Sequence, residues 1–520
     1  MSISTDPNMI LPDDDFNRAL VNNVHPGGWV NPEPTGRYHL VIIGAGTAGL
    51  VTAAIGAALG AKVALIEKHF MGGDCLNVGC VPSKGVIAAS RAWAQMGRVD
   101  EFGMTIPAGT KYDFAVAMER MRKLRARISP NDSAHRFKQL GVDLFFGEGS
   151  FVSSDTVSVG RPSPANGKIL KFKKAAICTG ARAEAPPITG LKQAGFLTNE
   201  TIFTLTDLPP RMAVIGVGPI GCEMAQAFAR FQSRVSLFVK GSHILPREDA
   251  DAAKILEDQM RKDGVFFILN SEITRVTAQG REKVLHYRVD GVEKEQIVDE
   301  ILVGVGRAPN VEGLGLNKVG VQYDLKSGVA VNDLLQTTNP NIFSAGDVCF
   351  PFQFTHAADA MAQIVIQNAL FPHPFGLGYA KASSMVIPWC TYTSPEIAHV
   401  GIVAADAKRD GIQLDTFTSS LSDVDRAILD GEEEGLARVH LAKGTDQILG
   451  ATLVATHAGE MISQLTLAIK AGIGLGAIAG TIYPYPTQSE VIKKVANGWK
   501  KSTFTQQKKN ILRRWFDFTR

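Results

Sequence analysis

Apolar runs of strand length recur along this chain, and two of them lead through a glycine-rich turn into an apolar helix. His39-Leu40-Val41-Ile42-Ile43 shows no alternation, as expected of a strand buried on both faces. The run Gly44-Ala45-Gly46-Thr47-Ala48-Gly49 follows it, then an apolar helix over 50–59 and a second strand over 62–66. The same arrangement returns with a strand at 212–215, the loop Gly216-Val217-Gly218-Pro219-Ile220-Gly221, a helix at 224–231 and a strand at 235–238. Between the two, Met118, Met121, Leu124 and Ile128 stand at helical spacing in a stretch over 114–140 and read as core positions. Strand-like runs at 142–146, 151–159 and 171–180 complete the stretch. The pattern predicts an α/β chain with two strand–loop–helix–strand units.

Each loop has the GxGxxG spacing in the context that gives it meaning. Gly44 permits the tight turn, Gly46 lets the backbone approach a pyrophosphate, and Gly49 lets the helix pack on the strand. The strand after the first helix ends in Glu67, about 20 residues on, where an acid bonds ribose hydroxyls. Two such fingerprints imply two dinucleotides. The second unit's corresponding strand is followed by Val239 and Lys240 instead of an acid, and a cation there tolerates a 2′-phosphate, so NADPH is preferred to NADH. Lys240 read alone is one more solvated lysine.

Between the units stands Gly72-Gly73-Asp74-Cys75-Leu76-Asn77-Val78-Gly79-Cys80-Val81-Pro82-Ser83-Lys84. Four residues separate Cys75 from Cys80, which as the first turns of one helix would lie on nearly the same side, within reach of a disulfide. A helix N-terminus also stabilises a thiolate. A pair of buried cysteines or a fixed staple is the plainer alternative for the two residues alone.

This run resembles the redox-active disulfide signature of the flavin-dependent pyridine nucleotide-disulfide oxidoreductases, the family of dihydrolipoamide dehydrogenase, glutathione reductase and mercuric reductase, with the mercuric reductase branch most similar. The resemblance spans about residues 38–500 and includes 171–180, ending Ile177-Cys178-Thr179-Gly180, then Gly304-Val305-Gly306-Arg307-Ala308-Pro309-Asn310, Asn341-Ile342-Phe343-Ser344-Ala345-Gly346-Asp347, Thr355-His356-Ala357-Ala358 and the 391–401 stretch. It implies an α/β fold of two Rossmann-like dinucleotide-binding domains plus a C-terminal α+β dimerisation domain. The implied boundaries are an N-terminal extension 1–37, an FAD-binding domain 38–190 resumed at 313–380, an NAD(P)-binding domain 191–312, a dimerisation domain 381–504 and a basic tail 505–520.

The resemblance also assigns roles. FAD would be held by Gly44, Gly46, Ala48, Gly49, Glu67, Lys68, Gly73, Lys84, Thr179, Gly180, Gly346, Asp347 and Ala357, with Asp347 on the ribityl chain, and Gly306 and Arg307, in the loop that closes the nicotinamide domain, would also bind a cofactor. NAD(P)H would be held by Gly216, Gly218, Ile220, Gly221 and Lys240. Cys80 would be the flavin-proximal thiolate and Cys75 the interchange thiol. Lys84 and Glu223 would form a pair beside the flavin, and His356 and Cys178 would be structural. Electrons would pass from NAD(P)H through FAD to a Cys75–Cys80 disulfide and on to a disulfide-type or other small acceptor. The alternative is a mercuric reductase-like reductase of a metal ion or quinone, and a different class is a redox sensor with negligible turnover.

One position departs from the disulfide-reducing members. In Tyr483-Pro484-Tyr485-Pro486-Thr487-Gln488-Ser489-Glu490, Glu490 matches the glutamate of their histidine–glutamate dyad, but Tyr485 stands in place of the histidine. Imidazole titrates near pH 6.5 and a phenol near 10, so Tyr485 donates a hydrogen bond but is a poor base. Offered by the second subunit, Tyr485 and Glu490 would polarise the substrate or protonate a leaving group. Mercuric reductases lack that histidine too, but they carry a vicinal cysteine pair near the C-terminus and a Cys-x-x-Cys metal-binding domain. This chain has no cysteine after Cys390.

Composition narrows the remaining classes. With 520 residues, the chain exceeds one core, and 45% hydrophobic and 20% charged residues are ordinary for a globular protein. A net charge of +3 gives no footprint for nucleic acid. Six scattered cysteines and an acidic start without a signal-peptide pattern point to a cytoplasmic setting. No resident metal is expected. Residues 1–37 lack a clear period and read as an extension that drapes over the surface or stays mobile, with Leu11, Leu20, Val21, Val24 and Trp29 arguing for some docking. The tail mixes Lys508, Lys509, Arg513 and Arg514 with Ile511, Leu512, Trp515, Phe516 and Phe518. Packing within a homodimer is preferred for it over contact with a membrane surface.

Overall fold

The computed structural model describes residues 9–160 and 167–520, so the first eight residues of the extension lie outside the description. The chain forms two compact units. One holds the chain up to Ile215 with Ile273–His286 and Glu295–Met385, and the other holds Gly216–Glu272, Tyr287–Lys294 and Val386–Arg520.

The first unit is built on a seven-stranded sheet whose order begins β3 (Asp143–Phe146), β2 (Val63–Glu67), β1 (Arg37–Ile43) and β6 (Lys168–Ile177). These four pair in parallel, and Leu40, Val41, Ile42 and Ile43 are all buried, which explains the unbroken apolar run. The edge of β6 is shared. Its first residues pair antiparallel with β5 (Thr156–Val159), which pairs with β4 (Gly149–Ser153), and its last pair in parallel with the strand Ile342–Ser344. Segments distant in sequence thereby meet at the C-terminal end of β1. The predicted helix at 114–140 is broken into Phe114–Ile128, a 3-10 turn at Ser129–Asp132 and Ala134–Gln139. The break follows from Pro130 and from Ser133, whose side chain caps the last piece.

Residues 9–37 dock rather than drape. A helix, Asp15–Val24, begins at Asp14, whose carboxylate accepts from the Asn17 N–H at 2.8 Å, and it buries Leu20 and Val24 completely. Trp29 donates its indole N–H to the Leu144 carbonyl, while Leu11 stays exposed.

In the second unit, the strands Arg234–Phe238 and Val265–Ile268 pair in parallel beside the helix Pro219–Arg230. A five-stranded antiparallel sheet follows, in the order Pro388–Thr391, Glu396–Gly401, Ile448–Ala455, Leu436–Ala442, Leu414–Ser420. Ala398, Val400 and Leu453 of this sheet share one core with Ile462, Leu465, Val491 and Val495 from the helices Ala458–Lys470 and Glu490–Ser502. Among the described residues no helix is long and apolar enough to cross a membrane.

Candidate active site

The first glycine loop joins β1 to the helix Thr47–Ala58, and two of its glycines are required by the protein itself. Gly44 has φ +104°, and a Cβ there would sit 2.3 Å from the Cys178 carbonyl oxygen. A Cβ on Gly49 would lie 1.8 Å from the Gly44 oxygen. Gly46 differs, since its Cβ would make only an ordinary contact, 3.7 Å from the Gly73 Cα. Nothing among the described residues demands glycine at 46, and the open approach there would suit a pyrophosphate at a helix N-terminus. Glu67 closes the loop from below. It is buried, and its two carboxylate oxygens accept the Ala45 and His69 N–H groups at 2.7 and 2.8 Å. Burial pushes its carboxyl above the usual range against those bonds. Spare lone pairs remain for ribose hydroxyls. Lys68 beside it is exposed.

The redox segment begins where this loop ends. A Cβ on Gly73, whose φ is +55°, would be 2.7 Å from the Gly46 Cα, so the two backbones touch. The cysteines do not share one continuous helix. Cys75 lies in Gly73–Asn77, and Cys80 opens Cys80–Met96 after a break at Val78 and Gly79. A Cβ on Gly79 would sit 2.7 Å from the Asp74 carbonyl oxygen, so the kink folds tightly back on the first turn. It keeps the sulfurs within hydrogen-bonding reach, and the Cys75 thiol is pushed up by its bond to Cys80 first and by burial second. Thr355 Oγ1 lies 3.4 Å from Cys80 Sγ. Lys84 is half-buried one turn along the second helix. Cys178, Cys222 and Cys349 are buried, and desolvation pushes all three thiols up, which fits inert core positions.

A third group converges on the same segment. Arg307 donates to the Asp74 carboxylate and, at 2.9 Å, to the Ala181 carbonyl, and its Nε stands 3.5 Å from Asp347 without completing a hydrogen bond. Burial raises the Asp347 carboxyl against the pull of Arg307. Thr179 and Gly180 are latched to Asn310 by three bonds, Thr179 Oγ1 to Asn310 O, Asn310 Nδ2 to Thr179 O and Asn310 N to Gly180 O. Gly306 accepts from the Glu184 N–H. A Cβ on Gly346 would meet the Ala48 methyl at 3.3 Å, and Ala357 is fully buried at the start of the helix Thr355–Leu370. His356 stacks on Phe354, ring centroids 5.4 Å apart, a packing role.

In the second unit, Gly216 has φ +120°, and Gly218 has nothing within 4 Å of its would-be Cβ, again a glycine with open space before it. Ile220 and Gly221 belong to the helix that starts at Pro219, and Lys240 is exposed after the strand Arg234–Phe238. Glu223 is buried and accepts the Tyr392 N–H at 2.9 Å. Tyr485 is 71% exposed and donates to Asp425 Oδ2 at 2.8 Å, and that bond raises its phenol further from neutrality. Glu490 opens the following helix and adds its charge to the same effect.

Sequence reasoning left out Asp74, Thr355, Asn310 and Arg125 as site residues. The acid in the Gly-Asp-Cys run and the threonine beside His356 were visible signals for the first two. Arg125 gave none. It is buried 48 residues from its partner Asn77, whose carbonyl oxygen it reaches at 2.5 Å, and its other nitrogen donates to Asn17 Oδ1 at 2.7 Å.

The model for the family described as pyridine nucleotide-disulphide oxidoreductase matches residues 38–363, and the model for that family's dimerisation domain matches residues 387–496. A mercuric reductase of Bacillus cereus is 32% identical over 464 residues, covering 89% of this chain and 72% of the relative. A dihydrolipoyl dehydrogenase of Chlamydia muridarum is 30% identical over 460 residues, covering 87% and 95%. Among solved structures, the Cu(II) complex of the HOCl-induced flavoprotein disulfide reductase RclA from Escherichia coli is similar, with TM-score 0.77, 26% identity, and 89% and 99% coverage.

Proposed function

Because the chain belongs to the pyridine nucleotide-disulphide oxidoreductases and is an FAD-dependent enzyme using NAD(P)H, we propose that it delivers electrons through Cys75 and Cys80 to a small acceptor. The observation that carries this reading is the contact of Gly46 with Gly73, which joins the cofactor loop to the helix bearing Cys75. Bound FAD supplies a carrier between hydride donor and sulfur pair. Gly44, Gly46, Ala48 and Gly49 give it a backbone cradle, Glu67 and Lys68 meet its ribose end, and Thr179, Gly180, Gly306, Gly346, Asp347 and Ala357 line the remainder. Lys84 places a positive charge there, and Arg307, with one buried nitrogen lacking a hydrogen-bond partner, is suited to a further acceptor.

Cys75 is the interchange thiol that attacks or binds the acceptor. Cys80 keeps its sulfur against the Thr355 hydroxyl. Gly216, Gly218, Ile220 and Gly221 receive the pyrophosphate of the nicotinamide dinucleotide, Glu223 borders its nicotinamide end, and exposed Lys240 favours the 2′-phosphate of NADPH. The chain carries the family's dimerisation domain, and the working form is a homodimer. Within it, Tyr485 and Glu490 of each chain serve the partner's site. The proposed setting is the cytoplasm.

Tyr485 favours the second reading of the acceptor, a metal ion or quinone. A phenol already donating to Asp425, with its titration raised, does not take up protons at neutral pH as thiol–disulfide exchange requires. The test is an acceptor screen on purified enzyme, native against Cys75→Ala and Cys80→Ala, with disulfides, Hg(II), Cu(II) and quinones. Turnover with disulfides that both variants lose supports the first acceptor. Turnover confined to metal ions or quinones supports the second, and full turnover by both variants with every acceptor removes the thiols from the reaction.

A further inference from the structure

Among the described residues, the helix Gln506–Thr519 buries none of its side chains against its own chain. Every one of its residues is exposed, including Ile511 at 66%, Trp515 at 58%, Phe516 at 62% and Phe518 at 83%. It is nonetheless a well-started helix, with Thr505 capping it through the Lys508 N–H. At about 100° per residue, Phe518, Ile511, Trp515, Leu512 and Phe516 fall on one arc of roughly 160°. Arg514 borders that arc on one side and Lys509 on the other, Lys508 of the first turn falls within the arc, where its long stem can reach up to the headgroups, and Asp517, the helix's single acid, falls on the opposite face.

Charge is segregated to this end of the chain. Residues 493–520 hold nine lysines and arginines against one acid, whereas the whole chain totals 54 against 51 and the remainder therefore carries 45 against 50. We propose that this helix lies in the plane of an anionic lipid surface, its aromatic arc sunk among the acyl chains and Lys509 and Arg514 reaching to headgroup phosphates. Two features favour lipid over a second copy of the chain. Cations on both borders of an apolar arc suit a flat sheet of phosphates, and two such faces meeting about a twofold axis would bring like charges together. The inference stands apart from the identity of the electron acceptor.

The test uses the FAD-loaded full-length enzyme with vesicles of phosphatidylcholine alone or mixed with phosphatidylglycerol, read by co-sedimentation and by Trp515 emission taken as the difference from Trp515→Phe. The expected result is binding to the anionic vesicles only, a blue shift of Trp515, and a loss of partitioning of about tenfold or more in Lys509→Glu/Arg514→Glu and in a chain ending at Phe504. NAD(P)H turnover with a soluble acceptor and dimer mass stay unchanged in both. Failure of the native enzyme to bind anionic vesicles overturns the proposal. So does conversion of the shortened chain to a monomer, which would make the helix a subunit contact.

Discussion

Substituting Glu248 by glutamine should make the protein more stable at pH 8 than at pH 5 relative to the native chain, because Glu248 is a buried carboxyl that ionises late. It is 8% exposed, its Oε1 accepts the Trp389 indole N–H at 2.6 Å, and its Oε2 has no partner. Burial, helped by the nearby Asp249 charge, pushes the carboxyl from 4.5 up to about 7. Between those values the folded state holds a proton that the unfolded state has released. Stability therefore falls as pH rises through that window, and the deficit is complete above about pH 7. A gap of roughly 2.5 pH units at about 1.4 kcal/mol each gives a cost of about 3.5 kcal/mol. Glutamine keeps an oxygen for Trp389 and never ionises, so the variant should come within about 1 kcal/mol of the native enzyme at pH 5 and exceed it by up to about 3.5 kcal/mol at pH 8. Thermal midpoints of FAD-loaded enzyme at the two pH values measure this. Trp389 emission should titrate near neutrality in the native enzyme alone, since His399, whose ring lies tilted 4.4 Å from it, is pushed down to about 4 by burial and stays neutral. Glu248 N–H bonds the Leu245 carbonyl, and Leu245 N–H bonds Val217 of the second glycine loop, so the KM for the dinucleotide should lose part of its pH dependence as well. An equal stability difference at both pH values, or flat native emission from pH 6 to 8, would refute the reasoning.

Arg125→Met should destabilise the first unit by roughly 3–5 kcal/mol, because it strips the Asn77 carbonyl and Asn17 of a buried charged donor, and a denaturation curve that does not move would dismiss that brace. Lys240→Ala should raise the KM for NADPH by about tenfold while leaving NADH unaffected, and equal changes for both would remove Lys240 from 2′-phosphate recognition. Tyr485→Phe should fold normally, since the residue is largely exposed, yet lower kcat/KM for the acceptor by about tenfold or more. Unchanged steady-state kinetics would take the phenol out of the reaction.

What could be read in advance was what the backbone dictates locally. Gly44 and Gly49 have to be glycine because their own chain closes on them, so the spacing of the loop survives as a pattern that a sequence shows directly. The helix Asp15–Val24 also had its signal, an acid cap at Asp14 followed by Phe16, Leu20, Val21 and Val24 at helical spacing, but the density of Pro, Asn and Asp around it hid the period. The kink between the cysteines was carried by one residue, Gly79, whose need is visible only once the Asp74 carbonyl folds under it. Arg125 belongs to another kind of feature. Its meaning lies in partners 48 and 108 residues away, and an arginine in the helix Phe114–Ile128 looks from the sequence like any solvated cation. This division bears on function: the glycine loops and the cysteine run specify a flavin enzyme because their geometry is local. On the proposed function, the choice of acceptor instead falls to exposed side chains such as Tyr485, held by a single bond to Asp425 sixty residues away, where a substitution would change the chemistry and leave the fold intact.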